Sequence, residues 1–323
     1  AYGNATITSG GYSASNITGL VNGDSYNASD VKVTVNSDGA LTGNIEGKVT
    51  NNVGDYTWSG TVTADNAGLK NNYKLELKGD GKSAVGKATL NVGLSDVYRT
   101  YGNATITSGG YSAGNITGLV NGDNYGASDF KVTVNSDGAI AGVTGDRVTN
   151  DHGDYTWNGT IEANNAGLNK NYDLVVNANG KSYVDKAQLN VSLNDVVRTY
   201  GNATITSGGY SASNITGLVN GDSYKAGDVK VTVTGDGAIA GVSGSKVTND
   251  AGNYEWTGSA STTNAGLDKN YNLVVTANGK SKVEKATLNV GLNDVVRTYG
   301  NATITSGGYS ASNITGLVNG DSY

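Results

Sequence analysis

One stretch of this chain appears four times. Tyr2 to Tyr26, YGNATITSGGYSASNITGLVNGDSY, recurs from Tyr101, Tyr200 and Tyr299, each step being 99 residues. The copy at 101 departs only at Gly114 and Asn124, and the other two match throughout. The chain is three full repeats and the opening of a fourth. Solenoid repeats run to about 20–50 residues and bury a core only against their neighbours. A 99-residue unit can enclose a core of its own, so the period predicts a string of domains. Because the chain begins and ends inside the same motif, it reads as a segment of a longer repetitive protein.

The apolar residues within one repeat set the fold class. Val31, Val33 and Val35 alternate with Lys32 and Thr34, the pattern of a half-buried strand. Tyr56 and Trp58 alternate with Thr57 and Ser59, and Tyr73, Leu75 and Leu77 form the next set. Ala88, Leu90, Val92 and Leu94 close the repeat. Shorter strands are expected over Tyr2–Thr8 and Asn16–Val21, with one more around Lys48-Val49-Thr50. Turns fall at Ser9-Gly10-Gly11, Asn22-Gly23-Asp24, Ser37-Asp38-Gly39 and Gly79-Asp80-Gly81. About seven strands, with turns every eight to twelve residues, predict an immunoglobulin-like sandwich. Nothing shows the i, i+3, i+4 spacing of a surface helix, and Asn66-Ala67-Gly68-Leu69 has room for one helical turn.

The expectation is therefore an all-β tandem array of immunoglobulin-like β-sandwich domains of about 99 residues, stacked end to end. Its boundaries are read as 1–92, 93–191, 192–290 and 291–323, the last being only an opening part. At the junction, KATLNV runs into GLNDVVRTYGN with no Pro, no Ser/Gly run and no charge block. A linker this short cannot act as a flexible coil, so the domains should form a stiff series. Residues 291–323 supply only the first strands of a sandwich. Ile304, Ile314, Leu317 and Val318 then need cover from further chain, the preceding domain or a neighbouring molecule, the first or last being favoured.

Composition removes several function classes. Charged residues are 15%, below the usual share of about 25%. With a net charge of −6 there is no basic face for nucleic acid. No apolar run of about 18 residues is present to span a membrane as a helix. The absence of Cys excludes disulfides, Cys-ligated zinc and thiol catalysis. The single histidine, His152, stands where the other repeats have Val53 and Ala251. No repeated nucleophile–base set accompanies it, so no enzyme and no cofactor is expected.

Three carboxylates near the junctions, Asp24, Asp30 and Asp96, are the candidates for a calcium site. Without an EF-hand-type loop around them, turn capping is the expected role and no metal is expected. Candidate glycosylation sequons fall at Asn4 and Asn16 and recur at Asn103, Asn115, Asn202, Asn214, Asn301 and Asn313, with Asn27 and Asn158 matching once each. Tyr56, Trp58 and Tyr73 fall on the inward phase and are expected in the core. Lys32, Lys131 and Lys230 alternate outward, which argues against an internal lysine crosslink.

The order of motifs is YGN, GLVNGD, GDYTW, NYKLEL and KATLNV, carried at Tyr2-Gly3, Gly19 to Asp24, Asn72-Tyr73 and Ala88 to Val92 and again 99 residues on. It resembles the MBG and YDG repeat domains of bacterial filamentous-haemagglutinin-like exoproteins, over the whole chain. One departure is the lack of the Pro that often follows the opening motif in that family. The resemblance implies an extracellular protein of the bacterial cell surface whose repeats act as a stalk or fibre, and it raises the case for sugar on the sequons. The expected function is thus a structural stalk region of a secreted adhesin or filament, with no chemistry of its own. The alternative is a multivalent carbohydrate- or protein-binding repeat that acts by avidity in adhesion or biofilm. Expected partners are neighbouring repeats or further copies, with host or matrix glycans or proteins under the alternative. That alternative requires a solvent-facing patch shared by the repeats, for which residues 2–26 are the candidate.

Overall fold

The computed structural model describes residues 1–41 and 49–323. Strands hold 44% of the residues and helices 9%, so the chain is all-β. It divides into two compact units. The first comprises Ala1–Arg99, Ile106–Ala141 and Asp154–Tyr183; the second comprises Thr100–Thr105, Gly142–Gly153 and Val184–Tyr323.

The second unit contains a complete sandwich between Ala187 and Glu284. Its leading strand, Ala187–Leu193, alternates Ala187, Leu189, Val191 and Leu193, none more than 5% exposed, with Gln188, Asn190 and Ser192. Both of its edges are paired. One runs parallel to Tyr271–Ala277, with Leu189 opposite Leu273. The other is antiparallel to Ala212–Thr216, with Val191 opposite Ile215. After Asn194-Asp195 the chain crosses to the second sheet as Val196–Thr199. That sheet has the order Ser207–Gly208, Val196–Thr199, Gly279–Glu284, Gly252–Ser261, Lys230–Asp236. Two adjoining strands thus seed both sheets, and their apolar faces meet across the core.

Trp256 fills that core. It is fully buried against Leu193, Val196, Val231 and Val275, and its indole N–H donates to the carbonyl of Asn194 at 2.8 Å. Gly279 lies directly against the indole, and a Cβ there would collide with the ring nitrogen and the Asn194 carbonyl. A six-residue helix, Ala265–Asn270, leads into Tyr271–Ala277 and buries Leu267 completely. Asn264 caps the helix by accepting from the amides of Gly266 and Leu267, as side chains do at helix N-termini.

The first unit repeats this arrangement. Ala88–Leu94 lies between Tyr172–Ala178, parallel, and Ala113–Thr117, antiparallel. Trp157 is fully buried and donates to the Ser95 carbonyl at 2.8 Å. Ahead of this sandwich stands a three-stranded sheet, Val31–Asp38, Gly54–Ala64 and Gly81–Val85.

Several expectations change. The boundaries read near Val92, Val191 and Val290 fall inside the single strands Ala88–Leu94, Ala187–Leu193 and Asn289–Leu292. The sheets divide the chain before Ala88, at Lys186 and after Glu284 instead, because each closing strand of a sequence repeat leads the following sandwich. No strand forms over Tyr2–Thr8, and the later copies have Ser108–Gly109, Ser207–Gly208 and Ile304–Gly307 in or just after that region. The strand expected over Asn16–Val21 is seen as Ala113–Thr117, Ala212–Thr216 and Ala311–Thr315, slightly earlier in the repeat, and is not formed in the first copy. Of the strand around Lys48-Val49-Thr50, Lys48 lies outside the described residues, and Val49 and Thr50 are not in a strand. Val35 is 38% exposed because the register slips between Val35 and Ser37.

Candidate functional site: a repeated joint

The near-invariant stretch supplies both halves of a joint. Its opening Tyr-Gly lies on one side and its Asn-Gly-Asp, in the following copy, on the other. In the first unit the Tyr2 hydroxyl donates to Asp123 at 3.0 Å, and its ring packs edge-on against Tyr172 at 5.5 Å. In the second unit Tyr101 does the same to Asp222, at 3.0 Å, and to Tyr271, at 5.5 Å. Tyr200 donates to Asp321 at 2.8 Å. The same aspartates also accept from Tyr172 and Tyr271, each at 2.8 Å. Asp123 and Asp222 therefore each tie two tyrosines from different repeats.

The asparagine of the same motif adopts the left-handed conformation, with φ 56° at Asn121 and 55° at Asn220. Asparagine tolerates this region because its short amide bonds locally. Here the amide is turned outward and acts as a substitute strand. Asn220 accepts from the Val148 amide at 2.9 Å and donates to the Thr149 carbonyl at 3.1 Å. Asn121 does so with Val49 and Thr50 at 3.3 and 3.2 Å. Thr149 in turn accepts from the Gly102 amide at 2.8 Å. Gly102 has φ +80°, and a Cβ there would run into the side chain of Val219. The Tyr-Gly dipeptide is thus needed as a pair: the ring for burial, the glycine for close approach.

A third contact comes from the end of the short helix. Asn270 accepts from the His152 amide at 2.9 Å and donates to Asp151 at 3.1 Å, and Lys269 pairs with Asp151 at 2.9 Å. In the first unit Asn171 holds the Val53 amide at 3.0 Å and Asn52 at 2.9 Å. The joint uses the backbone at position 152, which explains why the repeats carry Val53, His152 and Ala251 there. In the first unit one apolar cluster runs from Tyr2, Ala40 and Val85 into Ala88, Leu90 and Tyr172.

Burial pushes the Tyr101 hydroxyl up to about 12; Asn220 acts against this, and the Asp222 carboxylate adds to it. Tyr172 and Tyr271 are raised for the same main reason, burial, with Asp123 and Asp222 contributing.

The three calcium candidates are not brought together as a set. Asp24 accepts from the Tyr73 hydroxyl at 2.8 Å, Asp30 from the Asn27 amide at 2.9 Å, and Asp96 from the Lys181 amide at 3.2 Å. No group of three or more His, Cys, Asp or Glu that could hold a metal forms among the described residues. The sequon asparagines Asn4, Asn16, Asn103, Asn115, Asn202 and Asn214 are all exposed. Asn4, Asn103 and Asn202 each accept the amide of the threonine two residues on at 2.9 Å.

A second cluster, not singled out by the sequence, lies beneath Tyr111 and Tyr210. Arg198 is 2% exposed and donates to Asp236 at 2.9 Å, Ser281 at 3.0 Å, Tyr210 at 2.5 Å and the Ala203 carbonyl at 2.8 Å. Arg99 is held the same way by Asp137, Ser182 and Tyr111. Burial alone would raise Asp236, but hydrogen bonds from Tyr210, Ser281 and the Ala238 amide, with the Arg198 charge, hold it below its ordinary value. The signal in the sequence is an arginine recurring every 99 residues in VYRT and VVRT, within the stretch that joins one repeat to the next.

No family model and no curated protein matches the chain. Among solved structures, Drosophila N-cadherin EC1-4 is similar over 91% of this chain and 74% of that one, at 9% identity and a TM-score of 0.20. A likeness this slight carries no argument, so the sandwich rests on the sheets described above.

Proposed function

We propose that the chain is a structural stalk or fibre region of an extracellular, bacterial cell-surface protein, in which the repeats set reach and carry no chemistry of their own. The observation that carries this reading is where the near-invariant residues are spent. A ligand-binding repeat needs a shared patch facing solvent. Here Tyr2 and Tyr101 are 4% exposed and lie in joints, while Tyr111 and Tyr210 close over a buried arginine. The recurring tyrosines thus serve attachment of one repeat to the next and the packing inside each sandwich. The test is a glycan and matrix-protein array probed with the chain, and with the chain as competitor in adhesion by the cells that display it. Neither binding nor competition is expected. Saturable binding that strengthens steeply with repeat number would instead favour the avidity module.

A further inference from the structure

One sandwich carries two tyrosines that the other repeats lack. Tyr98 stands where they have Val197 and Val296, and Tyr183 where they have Ala84 and Lys282. The two are far apart in the chain, yet in the first unit their rings stack, with centroids 4.6 Å apart and planes 15° apart. Their strands, Val97–Thr100 and Gly180–Asp185, are neighbours in one sheet. In the second unit the counterparts Val197 and Lys282 lie opposite one another in a parallel pair. Val97, Arg99 and Ser182 are buried on the core face of the two strands, so Tyr98 and Tyr183 stand on the outer face, each half-buried.

This pair differs from the tyrosine pairs of the joints. Tyr2 meets Tyr172 at 85° and Tyr101 meets Tyr271 at 84°, edge to face. Those four rings are buried, and their hydroxyls are spent on Asp123 and Asp222. An edge-to-face pair turns the hydrogens of one ring toward the face of the other, which keeps the carbons beside the two hydroxyls apart. Tyr98 and Tyr183 leave neighbouring parallel strands on the same side of the sheet, and near-parallel stacking sets those carbons within reach of each other. Their half-exposure also leaves both phenols open to an oxidant from solvent.

We propose that Tyr98 and Tyr183 form a dityrosine crosslink site, in which a haem peroxidase with hydrogen peroxide joins the two rings by a carbon–carbon bond. Each phenol gives up one electron and its hydroxyl proton and becomes a tyrosyl radical. The two radicals bond through the ring carbons next to the hydroxyls, and the hydrogens on those carbons move to the oxygens as protons. The net loss is two hydrogen atoms, which hydrogen peroxide takes up in becoming two molecules of water. The bond ties Val97–Thr100, near the start of the sandwich, to Gly180–Asp185, its last strand, and so closes the chain from 98 to 183 into a loop. Closing a long loop restricts the unfolded chain and stabilises the folded one. Tension along a stalk would then pass through the bond and bypass residues 99–182. That use rests on the stalk reading; the bond itself rests on the stacked pair alone.

The test treats the whole chain, at high dilution, with a haem peroxidase and hydrogen peroxide, while coupling of N-acetyltyrosine in a parallel sample proves the oxidant active. After unfolding and digestion with trypsin, peptides 88–99 and 182–186 should be joined with the loss of two hydrogens. The undigested, unfolded chain should run ahead of the untreated one on a denaturing gel, and melting should rise by about 10 °C. Tyr98→Val and Tyr183→Lys install the residues that the next sandwich carries at Val197 and Lys282, so both variants should keep the parent's circular dichroism. Neither should give the joined peptides, the gel shift or the rise in melting. A parent that fails to join 88–99 to 182–186 while N-acetyltyrosine couples overturns the proposal and leaves the stack as packing only. So does coupling spread evenly over other tyrosines, or a variant that gains as much in melting as the parent. Binding on the glycan array would sink the stalk reading and leave this result standing.

Discussion

At the residue scale, the buried arginine is the least expected feature. A guanidinium that is 2% exposed is tolerable only because each of its three nitrogens meets an acceptor, and removing it strands a buried carboxylate. Arg198→Ala should therefore cost about 3–5 kcal/mol in urea unfolding. Replacing Arg198 and Asp236 together by apolar residues of similar volume should cost much less. The acid response has a definite sign. Asp236 is held below its ordinary 3.8, so its contribution is complete above that value and is lost as pH falls through the lowered one. Asp236→Asn should start less stable and show a shallower decline below pH 3.8. The joint tyrosine has the opposite sign. Tyr101 is raised from 10.0 to about 12, so its contribution is complete below pH 10.0 and is lost as pH rises toward 12. Tyr101→Phe should cost about 1.5–3 kcal/mol, the worth of a hydrogen bond to a charged group, and should flatten that alkaline decline. Both residues were visible as repeated letters, but neither has a local pattern that announces burial. Arg198 lies between Val197 and Thr199 in a strand, where alternation says only which face it shares with Val196.

At the scale of elements, the leading strand decides how much of each sandwich forms. The strands Tyr172–Ala178 and Tyr271–Ala277 form against it, and residues 73–78 are not a strand. Amides of 73–78 should accordingly exchange with deuterium well ahead of those of 271–277. The tryptophans report the same difference. Trp157→Ala should cost about 3–5 kcal/mol, as loss of a buried aromatic does, while Trp58→Ala, at a half-buried ring, should cost about half that or less. Equal losses at the two positions would contradict this reading. The alternation of Ala88, Leu90, Val92 and Leu94 was legible from the sequence, and so was the short helix at Asn66. Which sandwich the strand enters was not legible, because alternation specifies a buried face and not the partner that buries it.

At the scale of the whole molecule, the chain comprises two compact units. Its unfolding should accordingly be read unit by unit and not as one two-state step. The carboxylates once weighed as calcium ligands are engaged by Tyr73, the Asn27 amide and the Lys181 amide. Melts in calcium and in chelator should therefore superimpose; a shift of several degrees would show selective binding to the folded state.

The sequence by itself determined the period, the all-β class, the inward face of Ala88–Leu94 and Ala187–Leu193, and the core tryptophans Trp157 and Trp256, but not the half-burial of Trp58 or the lack of a strand over 73–78. These follow from side-chain alternation and turn residues, which act over a few neighbours. The tertiary structure decided where a domain begins, because Ala187–Leu193 is closer in sequence to Gly180–Asp185, a strand of the preceding sandwich, than to its partner Tyr271–Ala277. It also decided that Tyr101 belongs with Asp222 and Arg198 with Asp236, pairs separated by 121 and 38 residues. Such pairs are set by which faces the sheets bring together, and no local pattern encodes them.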